Sequence, residues 1–331
     1  MAFVAKLARV WIPSMSLGFH ARAAVVFFAT AGVLAPAGFA TDATGEAALA
    51  ARSLLLDAQA VGRAVIAVGA NGHILRSADS GRTWEKAAVP TTATLTGVDF
   101  PDERNGWAVG HDALILHTAD GGHTWMRQYQ GGDIEHPYLD VCFLDAQTGF
   151  VVGSYGLFLA TADGGQTWAA RRITDEDLHF NRIAKSETGA LFIAGEGGTL
   201  LRSDDRGATW RKLPSPYDGS FYGVLPIART PVLAYGLRGR VHRSDDKGET
   251  WDGAAAIQPA LLATAIRLRG GAIVLAGQAR AFWVSRDDGR TFAPWAAGLT
   301  TPVAELVETA DGRLLAFGEA GVTVLPGLGP P

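Results

Sequence analysis

One octapeptide, [Ser/Thr]-x-Asp-x-Gly-x-Thr-[Trp/Phe], recurs six times and dictates the kind of fold this chain can adopt. It opens at Ser77, Thr118, Thr161, Ser203, Ser244 and Ser285 and closes on Trp84, Trp125, Trp168, Trp210, Trp251 and Phe292, in steps of 41, 43, 42, 41 and 41 residues. Upstream of each copy lie two apolar runs separated by a turn, such as Gly106–Gly110 with Leu114–Thr118, Gly149–Gly153 with residues 157–161, and Leu191–Gly195 with residues 199–203. An earlier apolar stretch, residues 95–100 or 139–144 for example, adds a strand, and the residues from the Thr-Trp onward add the last. The unit is a four-stranded antiparallel meander.

The third strand of the unit carries two adjacent apolar residues: Ile74 and Leu75, Ile115 and Leu116, Phe158 and Leu159, Leu200 and Leu201, Phe282 and Trp283. Neighbouring strand residues point to opposite faces, so both faces of each small sheet must be buried. Sheets stacked around an axis meet that demand, and at a repeat of this length the architecture is a β-propeller. The fifth unit departs, with His242 after Val241, and is read as holding a hydrogen-bonded core histidine rather than a ligand.

The blade count follows from the period. Residues 303–325 repeat the three inner strands, giving a seventh blade without its own octapeptide. One period before Trp84 falls at residue 42, so residues 42–50 are expected to donate the outer strand of blade seven and close the ring, removing an open sheet edge. The expected fold is all-β: a seven-bladed propeller of four-stranded blades spanning residues 41–331 as one domain.

Residues 1–40 carry Lys6, Arg9 and Arg22, no acidic residue, and an apolar run from Ala23 to Val33. That layout is a signal peptide, with small residues allowing cleavage after Ala37 or Ala40. Its removal takes away three cations, leaving 26 basic against 33 acidic residues, a net charge of −7. An acidic domain lacks the broad basic footprint that nucleic acid requires. The single cysteine, Cys142, allows no intramolecular disulfide and is expected in the core.

The octapeptide explains itself physically. The carboxylates of Asp79, Asp120, Asp163, Asp205, Asp246 and Asp287 can accept hydrogen bonds from their own loops. Gly81, Gly122, Gly165, Gly207, Gly248 and Gly289 can supply a positive φ, and the six aromatic residues cover the hairpin base. The pattern resembles the Asp-box, a structural hairpin of several unrelated propellers including sialidases. A calcium loop would need a ligand ladder that is missing. The histidines lack close ligand spacing, so neither metal nor cofactor is expected. A sialidase-like glycosidase or a carbohydrate-binding propeller is the alternative, but no acidic pair stands apart from the repeat, and the Arg-Ile-Pro sequence that precedes the first box in sialidases is absent. No enzyme activity is expected.

Binding is expected on the face opposite the octapeptides, where the second-to-third strand turns vary on a rigid scaffold. The candidates there are His111, Asp112, Tyr155, Glu196, Arg238 and Arg280. Arg240 and Arg243 extend a basic patch that Arg267 and Arg269 continue in the next blade.

The sequence Gly-Trp-Ala-Val-Gly at 106–110 with the octapeptide from Thr118 to Trp125, repeated as 149–153 with Thr161 to Trp168, resembles the photosystem II stability and assembly factor family. The resemblance implies a lumenal or periplasmic seven-bladed propeller that helps to assemble a membrane complex, with an arginine patch as contact surface. The partner so implied is a protein of the cell envelope, a membrane complex, with the propeller at most peripheral to the membrane. In a non-photosynthetic host that partner is another envelope complex such as an exporter.

Overall fold

The computed structural model describes residues 43–253 and 259–329; the expected signal peptide lies outside the described residues. Seven antiparallel sheets follow one another, at residues 55–86, 95–130, 138–170, 180–212, 221–253, 262–294 and 303–324. The innermost strand of each packs on those of both neighbours, and that of the seventh returns to the first, so the ring is closed. Each of the seven seams between blades holds one cluster of buried side chains. Both faces of every blade are therefore covered, as the paired apolar positions require.

The octapeptides behave as structural hairpins. In the first, Asp79 accepts from Thr83 Oγ1 at 2.7 Å, from the amides of Thr83 and Arg82 at 2.8 and 3.0 Å, and from Ser77 Oγ at 2.8 Å. Asp120, Asp163, Asp205, Asp246 and Asp287 repeat this cage around the equivalent Thr and Ser/Thr hydroxyls. The six motif glycines all have φ between +82° and +88°. The aromatic residues reach further than the hairpin base. Each lies in the seam with the preceding blade, Trp84 edge-on to Phe317 of blade 7 at 6.0 Å and Trp210 to Phe158 of blade 3 at 5.5 Å.

Side chains also tie each of blades 1 to 5 to the hairpin of the next. Arg76 donates to Gly121 O at 3.0 Å, Gln128 to Gly164 O at 2.8 Å, Arg171 to Gly207 O at 3.0 Å, Arg202 to Lys247 O at 2.8 Å and Arg243 to Asp288 O at 2.9 Å. Arg313 of blade 7 donates to Ser80 O of blade 1 and makes the same tie across the closing seam.

Three expectations are corrected. Residues 43–50 form an α-helix, not a strand, and among the described residues blade 7 has three strands, Val303–Glu308, Leu314–Gly318 and Gly321–Val324. The ring closes instead by face-to-face packing of Leu55, Val65 and Leu75 on Leu315 and Phe317, by the Arg82–Asp311 ion pair at 2.6 Å, and by Arg313. Arg243 is no surface residue: its side chain is 5% exposed and paired with Asp245 on the octapeptide face. His242 is in the core between Tyr217 and Phe221, yet neither ring nitrogen has a hydrogen-bond partner among the described residues. Burial, and then the nearby Arg240, lower its pKa and keep it neutral. Cys142 is buried as expected.

A seven-fold glycine was not anticipated as a constraint. Gly69, Gly110, Gly153, Gly195, Gly236, Gly277 and Gly318 end the second strands, opposite the start of the first. A Cβ on Gly110 would stand 2.1 Å from Thr94 O, the carbonyl that accepts the His111 amide at 2.9 Å. Gly110→Ala is expected to destabilise the fold by about 1–3 kcal/mol, read as a lowered denaturant midpoint at unchanged m-value. The hairpin carboxylates make a second prediction. Thr250 and Thr291 hold Asp246 and Asp287 down to about 2, against the desolvation that raises Asp287. Their stabilising effect is complete above the unfolded value near 3.8 and is lost as pH falls through about 2. Carboxyl NMR titration checks this, with midpoints for both residues expected near 2.

Candidate functional site

Two places on a propeller can take a ligand, the central channel and the turn face. The channel is occupied by the protein itself. Every first strand has a β-bulge at the same step, and the residues that follow it are Asp57, Gly97, Asp140, Arg182, Gly223, Thr264 and Glu305. Arg182 from blade 4 reaches Glu305 of blade 7 directly, Asp140 of blade 3 at 3.6 Å and Asp57 of blade 1 at 3.7 Å. Burial alone would lower the pKa of Arg182, and the three carboxylates overcome that and raise it.

The carboxylates are also held by backbone. Asp57 accepts from the Val98 amide at 2.8 Å and Asp140 from that of Ile183 at 2.9 Å, each in the next blade. Glu305 accepts from Thr264 Oγ1 at 2.5 Å and the Leu306 amide at 2.9 Å. Asp99, one pleat further along blade 2, accepts from the Phe143 amide, and burial raises its pKa against the pull of Lys185. Carboxylates committed in this way cannot serve as a mobile acid and base for a substrate. Sequence inspection missed this cluster, although aligning the first strands by the repeat would have placed all seven residues in one column.

The turn face is built from two-residue hairpins. The central pairs Asn71-Gly72, Asp112-Ala113, Tyr155-Gly156, Gly197-Gly198, Arg238-Gly239 and Ala279-Arg280 all have positive φ at both positions, between +51° and +74°. With the return bond from the next amide, His73 to Ala70 O at 3.0 Å for example, these are type I′ turns. Such turns favour Asn and Gly, so Asn71 and Gly197 sit there at little cost. Tyr155, Arg238 and Arg280 adopt the left-handed region at a cost of about 1 kcal/mol each.

Five of the eight candidate residues fall into two groups. Tyr155 and Glu196, on blades 3 and 4, are joined by His179, which the sequence did not single out. The Tyr155 amide donates to His179 Nδ1 at 3.1 Å, and Glu196 accepts from the His179 amide at 3.4 Å. His136 and His179 flank the exposed Tyr155 ring at 4.9 and 4.7 Å. Beside it a groove of about 370 Å³ runs past Leu157, Arg172, Thr174 and Asp177. Arg238, Arg240 and Arg280 form the second group, on blades 5 and 6. All three are exposed, and the Arg240 guanidinium lies 5.7 Å from the centre of the Tyr217 ring. None forms an ion pair with a described residue. His111 and Asp112 occupy the blade 2 turn, apart from both. Arg267 and Arg269 are on the other face, paired with Asp288 and Glu308 at 3.5 and 3.4 Å. The five-arginine patch read from the sequence is thus divided between opposite ends of the propeller.

The model of the photosynthesis system II assembly factor YCF48 family matches residues 48–132 and 128–267. The chain belongs to that family. The structure of YCF48 bound to a D1 peptide superposes with a TM-score of 0.69 at 18% identity, over 84% of this chain and 93% of that one. YCF48 from Cyanidioschyzon merolae gives 0.67 at 17% identity, over 83% and 95%. The WD40 propeller domain of Doa1 gives 0.66 at 11% identity, over 82% and 92%. At these identities the likeness is one of fold. No curated protein matches the sequence. Membership of the YCF48 family agrees with the resemblance carried by the Gly-Trp-Ala-Val-Gly strand and the octapeptide.

The channel cluster makes its own prediction. Arg182→Met leaves three buried carboxylates without their cation and is expected to cost about 3–5 kcal/mol. Adding Glu305→Gln should recover part of that loss, and chemical denaturation of both variants measures it.

Proposed function

We propose that this protein is a non-catalytic assembly factor of the cell envelope that holds a segment of a membrane protein on its turn face. The observation that carries the reading is the placement of Tyr155, Arg238 and Arg280 in left-handed turn positions that blades 1 and 4 fill with Asn71-Gly72 and Gly197-Gly198. A strained, exposed side chain on a rigid scaffold is spent on something other than stability. Family membership supports the assembly role, and the D1 peptide bound by the related YCF48 supports a protein ligand. The exposed guanidinium groups of Arg238, Arg240 and Arg280 suit an acidic or carboxylate-bearing segment. Export to the periplasm, or to a thylakoid-lumen equivalent, rests on the charge and apolar pattern of residues 1–40. In a host without photosystem II the same surface would serve another envelope complex.

Retention of detergent-solubilised membrane proteins from the host by the immobilised propeller tests this reading. Arg238→Glu with Arg280→Glu is expected to weaken capture by about tenfold or more. Arg104→Glu, on the octapeptide face, is expected to leave it unchanged. Equal capture by all three proteins would rule out the turn face, and hydrolysis or tight binding of glycans by the wild type would favour a carbohydrate-active propeller instead.

A further inference from the structure

We propose that His179 is a pH-sensitive latch on the turn face: when neutral it holds the Tyr155 turn in its presented conformation, and when protonated it releases that turn and bonds to Glu196 instead. The inference adds regulation to the partner-binding reading of the turn face and rests on that reading for its functional consequence.

The residue that precedes each first strand gives its carbonyl to the amide that follows the second strand, His179 to Glu196 at 2.9 Å and Ser220 to Leu237 at 3.1 Å for example. Leu54, Thr94, Pro137, Ser220, Leu261 and Pro302 fill this position in the other blades, so the fold asks for a carbonyl there and not for an imidazole.

What the imidazole adds is a bond to the neighbouring blade. The segment that ends at His179 runs along the blade 3 turn, where the Gly156 amide donates to Leu178 O at 2.8 Å and the Tyr155 amide to His179 Nδ1 at 3.1 Å. The first bond has a counterpart in blade 4, where Gly198 donates to Gly219 O at 2.9 Å. The second occurs at blade 3 alone among the described residues. It braces a tyrosine that is 55% exposed and held at φ +53°, a conformation unfavourable for a residue with a Cβ.

That bond exists in one protonation state only. An imidazole nitrogen that accepts from an N–H carries no proton, which places the ring proton on Nε2. Protonation of Nδ1 sets two donors against each other, and histidine is the side chain that makes such a change between pH 5 and 8. The alternative acceptor is in place: Glu196 Oε2, already bonded to the His179 amide at 3.4 Å, lies 3.7 Å from Nδ1. A charge-assisted bond to that carboxylate replaces the lost one. The other charges around the ring are paired, Asp177 with Arg172 at 3.5 Å, Glu176 with Lys212 at 2.7 Å, and His136, across the Tyr155 ring, with Asp133 at 3.1 Å. Burial, and then Glu196, raise Tyr222 of blade 5 to about 12, so it stays neutral over this range.

Amide and imidazole NMR of the free full chain, from about pH 8 to about pH 5, reads the latch without a partner. The Tyr155 amide is expected to shift with the His179 ring and at the same midpoint. His179→Asn puts an amide oxygen at the Nδ1 position and is expected to hold the Tyr155 signal at its alkaline value throughout, whereas His179→Phe, with no acceptor, fixes the acid value. His136→Gln is expected to keep the wild-type titration. A Tyr155 amide that ignores the His179 midpoint, or that titrates equally in His179→Asn, would overturn the latch. Capture of detergent-solubilised membrane proteins then joins it to the turn face. Wild type is expected to retain about fivefold less at the acid end, the equivalent of one hydrogen bond, and His179→Asn the same amount at both ends. A loss shared by both proteins would overturn the regulatory role and leave the turn-face reading standing. Capture at neither pH would count against that reading, with the NMR titration still deciding the latch.

Discussion

Each sheet in this molecule is apolar on both sides, and that constraint governs everything else. A four-stranded meander with Ile74 facing one way and Leu75 the other cannot stop at one layer, and seven such sheets leave no bare face only if the last meets the first. The clusters at the seven seams are therefore mutually dependent: opening one exposes two apolar faces at once. Propellers commonly secure the final seam by completing a blade with a strand from the other terminus. Here no such strand lies beside blade 7 among the described residues. The seam between blades 7 and 1 is held by the same apolar packing as the rest, with Arg82, Asp311 and Arg313 adding charge pairing at its rim.

The polar groups near the axis decide which ring forms rather than whether one forms. A buried guanidinium with three carboxylates is costly to desolvate, and replacing such a cluster with apolar groups often costs little in stability. What it adds is selectivity. Asp57 and Asp140 each take the amide of the next blade's first strand, and Arg182 links blades 1, 3, 4 and 7, so a slipped register or a missing blade would strand charges in the interior. The hairpin cages on the outer face act more locally, fixing one turn at a time.

The architecture was legible because its signals repeat: an Asp-x-Gly-x-Thr-Trp hairpin has one local solution, and six copies at constant spacing leave little choice of fold. Blade number and strand boundaries followed from the same period, as for Gly106–Gly110 and Leu314–Gly318. The helix at 43–50 was missed because periodicity predicted a strand there and overrode a local signal: six of the eight residues of Ala-Thr-Gly-Glu-Ala-Ala-Leu-Ala are strong helix formers. The arginine patch failed for a geometric reason. Arg240 and Arg243 are three residues apart in sequence but at opposite ends of a strand, and a strand of four residues spans the whole blade. The channel column escaped notice because isolated polar residues in apolar strands look like noise until the blades are superposed.

Superposition of the blades also supplies an internal control that a single-copy fold lacks. Seven copies of one unit face the same folding problem, so a position filled by the undemanding residue in some blades and by a demanding one in others separates what the fold needs from what it tolerates. At the type I′ turns the fold is served by Asn71-Gly72 or Gly197-Gly198, and a tyrosine or an arginine there brings it nothing. That departure runs against stability, and it leaves chemistry facing solvent. In a closed ring whose hairpins and channel are committed to structure, such a departure is where interaction with other molecules is physically affordable.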